Sequence, residues 1–415
     1  MGQVASLPAR RTGSHYFFLF ALLSLCALLL VGPHVAAAAA DPGFEKWKKE
    51  FRKQALKEGI TPETFDRAFK GIESPDQWVL DKASFQPEFK APVWQYFDNR
   101  VTKYAVQRGK AKKKELKPWL DKIEKQSGVN PNILLAIWSM ESSFGAILDN
   151  KTVMRSVIRS LATLAYADPK RKKFGTSQLL AALQILQSGK IDESNLTGSW
   201  AGAMGHTQFI PTSYQAYAVD MDGDGKKDIW NSVPDALATA ANLLKKNGWV
   251  SGQTWGYEVT IPDRKLPAGK LKISEWEKLG VKRVRGKEFP RPNDVAELKL
   301  PAGRKGPAFL MLKNFFVIKR YNNSDRYAAA VGILADQIGG APPLSKDWKR
   351  PFTKLDRDEI IELQTKLKEK GFYDGEIDGK AGGGTRKAIL KFEESVGVDL
   401  QGFPSKEVLE LIRTN

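Results

Sequence analysis

The sequence predicts a mainly α fold with one small β-rich insertion and a compact C-terminal tail. Three observations carry this. Apolar residues recur at helical spacing in the first half of the large part and again over Asp325 to Ile338. From about 255 to 313 that period fades into short alternating runs, Tyr257-Glu258-Val259-Thr260-Ile261 and Phe309-Leu310-Met311-Leu312. Gly339-Gly340-Ala341-Pro342-Pro343 then reads as a linker, followed by a tail punctuated by glycines. The chain therefore divides into a leader at 1–40, a large part at 41–338, a linker at 339–351 and a tail at 352–415.

In the leader, Arg10 and Arg11 precede an apolar run from Tyr16 to Val31, and Ala36 to Ala40 offer small residues for cleavage. This is the pattern of a secretory signal peptide cut near Ala40, hence of an exported protein. A retained membrane anchor is the rival, but the run is short for the ~20 apolar residues of a span. Cys26 raises lipidation as another. Against it stand the bulky Leu25 and the apolar run that continues through Val31.

Cleavage there removes Cys26, His15 and His34, so residues 41–415 hold no cysteine and one histidine, His206. Disulfides, cysteine nucleophiles and thiolate metal sites are excluded, and a zinc hydrolase would normally need more histidines. A serine–histidine triad would rest on His206 alone; the residue reads better as part of a loop. Carboxylates, hydroxyls and amides remain. The formal charge of +18 falls to +16 without the two leader arginines. A basic exported protein is drawn to anionic polymers, and export favours cell-wall carboxylates over nucleic acid.

Phe44 to Lys57 and Val101 to Gln126, the latter with a basic stretch at Lys110 to Lys114, read as amphipathic helices. The strongest chemistry lies in Asn130 to Gly145. Asn130 can cap a helix and Pro131 suits its first turn. Ile133, Ile137 and Glu141 are spaced at i, i+4 and i+8 and share a face, which puts Glu141 on the buried stripe near the end that Gly145 would terminate. Burial favours the protonated carboxyl that a glycosidase acid needs. A structural glutamate paired with a buried arginine fits this segment equally well.

Ser199 to Tyr214 is rich in small residues and poor in charge. Gly202 and Gly205 let backbone approach a ligand, and Ser199, Thr207 and Gln208 can hydrogen-bond sugar hydroxyls and acetamides. Tight helix packing explains the glycines equally well.

Taken in order, Gln86-Pro87-Glu88-Phe89, Glu141-Ser142-Ser143-Phe144-Gly145, Gly202 to Tyr214 and Asn314 to Ser324 resemble the membrane-bound lytic murein transglycosylase B family, glycoside hydrolase family 103. The likeness covers Phe44 to Gln337. It implies a goose-lysozyme-like core and a lytic transglycosylase that needs no cofactor for its chemistry. It aligns Glu141 with the single catalytic acid/base and Ser199, Met204 and Gln208 with the lining of the saccharide groove. Tyr321, Asn322 and Tyr327 align with the polar wall near the acid, and Tyr96 with a groove tyrosine. Ser142 and Ser143 depart from the threonine and arginine common there, and Leu243 stands where some members carry a groove aromatic.

The implied reaction cleaves peptidoglycan glycan strands between N-acetylmuramate and N-acetylglucosamine. Glu141 protonates the glycosidic oxygen and then, as a base, accepts the proton of the muramyl 6-hydroxyl, which closes a 1,6-anhydro ring. A muramidase that uses water and a catalytically dead wall-binding scaffold are the rivals. The family's usual hosts imply a periplasmic location, with other cell-wall enzymes as candidate partners.

Asp220, Asp222, Asp224 and Asp228 fall at positions 1, 3, 5 and 9 of an EF-hand-like loop with Gly225 at position 6. Asn231 replaces the bidentate glutamate of position 12, and Asp235 can close a longer loop. A weak, structural calcium site is expected; an acidic surface turn is the alternative.

In the tail, Leu363-Gln364, Gly371-Phe372-Tyr373, Ile377-Asp378-Gly379, Gly384-Thr385, Ala388-Ile389 and Phe392 resemble the small three-helix peptidoglycan-binding domain of wall hydrolases, with Leu363, Leu367, Ile389 and Phe392 in its core. Glu393 replaces the usual glutamine, and Gly383 the helix-start proline. A helical protein-docking domain is the plainer alternative. As a tethered module it would concentrate wall substrate near the catalytic part.

Overall fold

A computed structural model of the chain describes residues 41–84, 92–398 and 400–415. The leader, with Cys26, His15 and His34, and the Gln86–Phe89 motif lie outside the described residues.

Helices begin where the sequence supplies caps. Asp41 accepts from the N–H groups of Gly43 and Phe44 at the start of α1 (Pro42–Lys57), and Thr61 caps α2 (Pro62–Ala68). Next come α3 (Gln77–Ser84) and α4 (Val93–Arg100). The single helix expected over 101–126 is two, α5 (Lys103–Glu115) and α6 (Lys117–Ser127), which meet at Leu116. The cause is Pro118: proline lacks the N–H that would continue the ladder and disfavours helix at the residue before it.

α7 (Pro131–Ser142) is the central helix, with Leu134, Leu135 and Ile137 fully buried. α8 (Val157–Ala167) and α9 (Lys172–Gln187) pack so closely that a Cβ on Gly175 would lie 2.5 Å from the Ala165 amide nitrogen. A short ladder, β1 (Arg155–Ser156) with β2 (Thr197–Gly198), leads into the small-residue loop, which α10 (Pro211–Tyr217) and α11 (Val233–Lys246) follow.

The expected β-rich insertion is a five-stranded antiparallel sheet. It comprises β3 (Gly256–Thr260), β4 (Lys270–Lys272), β5 (Lys282–Arg283), β6 (Val295–Lys299) and β7 (Ala308–Met311), in the order β4-β6-β7-β3-β5. Tyr257 and Leu298 both pair with Leu310. The sheet and α12 (Ile273–Lys278) share a core of their own around Val259, Trp276 and Leu310. α13 (Lys313–Tyr321) and α14 (Asp325–Ile338) return the chain to the main core, where α14 packs on α7.

Among the described residues the tail holds three helices, α15 (Arg357–Glu369), α16 (Gly383–Val396) and α17 (Lys406–Thr414). Leu363, Leu367, Ile389 and Phe392 form its core as expected. Buried Gln364 donates to Thr385 and Asp378 and accepts from the Gly379 amide. The segment at 339–351 is no free tether. Trp348 stacks on Phe97 of α4 at 4.1 Å, Arg350 forks onto Asp98, and Ser345 donates twice to Glu258. Phe352 and Phe403 close around Trp94 of α4. The glycine–proline stretch reads as a linker, and a buried indole and a bidentate guanidinium pin it. No helix among the described residues is long and apolar enough to cross a membrane.

Candidate active site

α7 opens with Asn130 accepting from the Asn132 amide and Pro131 in its first turn. Its end differs from the expected glycine stop. Ser143 already leaves the helix with a φ of 52°, and Phe144 and Gly145 stay left-handed at 58° and 83°. The turn is held from across the molecule. Ser142 Oγ donates to the His206 carbonyl at 2.6 Å and accepts from the Gly145 amide. A Cβ on Gly145 would lie 2.6 Å from the His206 ring, so glycine is required there for space as well as for backbone.

Glu141, one residue before this turn, is half-buried, whereas Ile133 and Ile137 on its face are enclosed. The Tyr327 hydroxyl donates to Glu141 Oε1 at 2.6 Å. Tyr327 is buried on the first turn of α14, where Ser324 caps its amide. Burial first, then the charge of Glu141, pushes the Tyr327 phenol well above its ordinary value, with Tyr321 and Tyr96 contributing. Tyr321, at the end of α13, donates to the Thr207 carbonyl, and its phenol is raised by burial and by Glu141. Both phenols therefore keep their protons and serve as donors. Tyr96 on α4 lies near enough to act on Tyr327, and the Arg100 guanidinium sits 6.0 Å from its ring centre. Asn322, exposed, caps the end of α13.

The small-residue loop meets the phenol cluster at Thr207, whose carbonyl accepts from Tyr321. Ser199 Oγ accepts from the amides of Ala201 and Ala203, and Met204 pairs its backbone with Phe209. Gln208 holds a φ of 52° and donates from its side chain to the Gly205 carbonyl. Such strained non-glycine backbone persists only where surroundings enforce it. The Met204 side chain is wholly buried and presents no surface to a ligand. Gly202 and Gly205 answer the packing alternative: an added Cβ would strike the Leu161 side chain or the Ile229 carbonyl, so the close approach is to protein.

His206 accepts from Trp138 Nε1 through Nδ1 at 3.1 Å, which leaves its proton on Nε2. Burial lowers it to about 4, so the ring stays neutral and braces α7 against the loop. No local pattern foretells this contact, because Trp138 and His206 are 68 residues apart.

Of the five aspartates expected to bind metal, Asp220, Asp222 and Asp235 gather with oxygens within 4.8 Å of one another. Asp224 and Asp228 stand apart from them and cap the loop, Asp224 on the Lys226 amide and Asp228 on those of Trp230 and Asn231. Asp235 is fully buried and accepts from the amides of Met221 and Asp228; desolvation raises its carboxyl. Three convergent carboxylates, one of them buried, offer all-oxygen donors and fit a hard divalent cation.

The profile of the family described as Transglycosylase SLT domain matches residues 43–336, and that of a putative peptidoglycan-binding domain matches 356–412. The chain is 34% identical over 214 residues to membrane-bound lytic murein transglycosylase B of Escherichia coli, a match that takes in 51% of this chain and 57% of that relative. The chain thus spans less than two thirds of this relative. Among solved structures, SltB3 of Pseudomonas aeruginosa in complex with NAG-anhNAM-pentapeptide is 44% identical, with a TM-score of 0.71, over 90% of this chain and all of that one. The Escherichia coli lytic transglycosylase Slt35 in complex with calcium is 28% identical, with a TM-score of 0.60, over 72% and 93% of the two chains.

Proposed function

We propose, since this chain belongs to the transglycosylase SLT domain family, that it is a bacterial lytic transglycosylase that cuts peptidoglycan glycan strands between N-acetylmuramate and N-acetylglucosamine. Its products carry 1,6-anhydromuramyl ends. The observation that carries the reading is the Tyr327–Glu141 hydrogen bond, which fixes one carboxyl within a cluster of phenols.

Glu141 gives its proton to the glycosidic oxygen as the C1–O bond breaks. The substrate's acetamide stabilises the cationic sugar. The carboxylate then takes the proton from the muramyl 6-hydroxyl, whose oxygen bonds C1 and closes the ring. One residue serves as acid and base because the nucleophile belongs to the substrate, whereas a hydrolase flanks the bond with two carboxyl groups. Tyr327 orients the carboxyl and steadies its ionised form. Ser199, Gln208, Asn322, Tyr321 and Tyr96 line the sugar path, with Met204 backing the loop.

No cofactor enters this chemistry. Asp220, Asp222 and Asp235 would hold a structural calcium ion, a reading supported by their convergence and by the calcium-bound relative. The leader directs export to the periplasm, with cleavage near Ala40. The tail binds the wall, and other cell-wall enzymes are candidate partners.

Mass spectrometry of fragments released from purified sacculi tests the reaction. Anhydromuramyl ends made by the unsubstituted protein and absent with Glu141→Gln are expected. Reducing ends instead would identify a hydrolase, and binding without release a scaffold.

A further inference from the structure

A cavity of about 450 Å³ opens between the β-rich insertion and α13. Lys313, Phe316, Val317 and Arg320 line it at i, i+3, i+4 and i+7, so one face of α13 forms its wall. The insertion supplies Lys270 from β4 and Val295 from β6. Its lining is cationic and apolar together. The Lys270 ammonium lies 4.6 Å from the centre of the Phe316 ring, and Val295 keeps 49% of its surface exposed. Among the described residues, Lys270, Lys313 and Arg320 form no ion pair. Glu297, the one carboxylate on the wall, is engaged by Lys299 at 2.6 Å.

The cavity shares helix α13 with the Glu141 cluster. Val317 and Tyr321 stand one turn apart on the same face of α13, and the Tyr321 phenol, bonded to the Thr207 carbonyl, feels the Glu141 carboxylate. A ligand that fits must carry anionic groups for three cations and small apolar groups for the valines and the phenyl ring.

We propose that this cavity is a subsite for the peptide stem of peptidoglycan, a short peptide bearing carboxylates and methyl side chains. The β-rich insertion then senses whether the glycan beside Glu141 carries a stem. The inference rests on the transglycosylase reading and extends it to substrate choice.

The test compares initial rates on peptide-bearing glycan strands and on strands stripped of stems by an amidase, for the full chain and for Lys270→Glu/Lys313→Glu. Lys270 is exposed on an edge strand, and a glutamate at the first position of α13 suits its dipole, so folding is retained. The ratio of kcat/KM on peptide-bearing to stripped strands is expected to fall about tenfold in the double variant and to recover with Lys270→Arg/Lys313→Arg. A ratio equal to that of the unsubstituted protein overturns the proposal, as does equal loss on both substrates. Titration of the free stem tetrapeptide, followed by NMR, separates the two readings. Binding that the double variant abolishes supports the subsite even if neither glycan is cut, a result that would sink the transglycosylase reading alone. Binding that persists in the variant removes the subsite.

Discussion

The hydroxyl of Tyr327 donates to Oε1 of Glu141 at 2.6 Å, joining the first turn of α14 to the last turn of α7. A hydrogen bond to a charged group contributes roughly 1.5–3 kcal/mol. Tyr327→Phe should therefore lower kcat about tenfold to a hundredfold with KM nearly kept, since the ring still fills its place. Steady-state kinetics on a soluble glycan fragment would decide it, and an unchanged kcat would deny Tyr327 any part in positioning the acid.

Glu141→Gln should abolish turnover while the melting temperature stays within a few degrees. The amide accepts the same Tyr327 bond but has no proton to transfer. Residual activity close to that of the unsubstituted protein would move the acid to another residue.

His206 and Asp336 should oppose each other in the acid range. Burial lowers His206 to about 4, so the unfolded chain binds the extra proton and stability rises with pH from about 4 to 6.5. Burial raises Asp336 to about 6, despite the bond it accepts from Trp255, so the folded chain binds the extra proton and stability falls from about 4 to 6. Each effect is on the order of 3 kcal/mol at most. Thermal melts should be nearly flat with pH in the unsubstituted protein. They should climb with pH in Asp336→Asn and decline in His206→Gln, whose amide oxygen still serves Trp138. Parallel curves for all three proteins would refute the compensation.

Calcium at millimolar concentration should raise the melting temperature by a few degrees, as any ligand confined to the folded state does. Asp222→Ala should remove that rise, because Asp222 belongs to the convergent set, and Asp224→Ala should keep it. A calcium-independent melt in the unsubstituted protein would leave the cluster an acidic turn.

Trp94→Ala should loosen the tail, because Trp94 packs edge-on against Phe352 at 5.0 Å and Phe403 at 4.7 Å. Loss of such an aromatic costs roughly 3–5 kcal/mol of packing. Limited proteolysis should then cut within 339–351, a segment expected to resist cleavage while Trp348 and Arg350 are held. Equal resistance would mean that the Arg350–Asp98 fork suffices.

The sequence was most legible where local signals act alone. Asn130 and Pro131 marked the start of α7, and the apolar period over Asp325 to Ile338 coincides with α14. Ladders with period two announced the sheet but not its order, which long-range pairing decides. The break at Leu116 was written in Pro118 and was masked by the strong helical pattern on either side. Contacts that join distant segments had no local trace: Trp138 with His206, Tyr321 with the Thr207 carbonyl, Trp348 with Phe97. The same holds for the convergent aspartates. An EF-hand spacing grouped Asp224 and Asp228 with Asp220, whereas the folded loop turns both aside to cap backbone amides.

Helix α4 carries Tyr96, which acts on Tyr327 beside the Glu141 carboxyl, while Trp94, Phe97 and Asp98 receive the segment at 339–351 and the tail. The tail is thereby held like the fixed jaw of a caliper. Under the proposed function, a wall strand bound by it would meet Glu141 at a set offset, and the lengths of the fragments released would carry the imprint of that distance. A loosely strung tail would cut at scattered intervals.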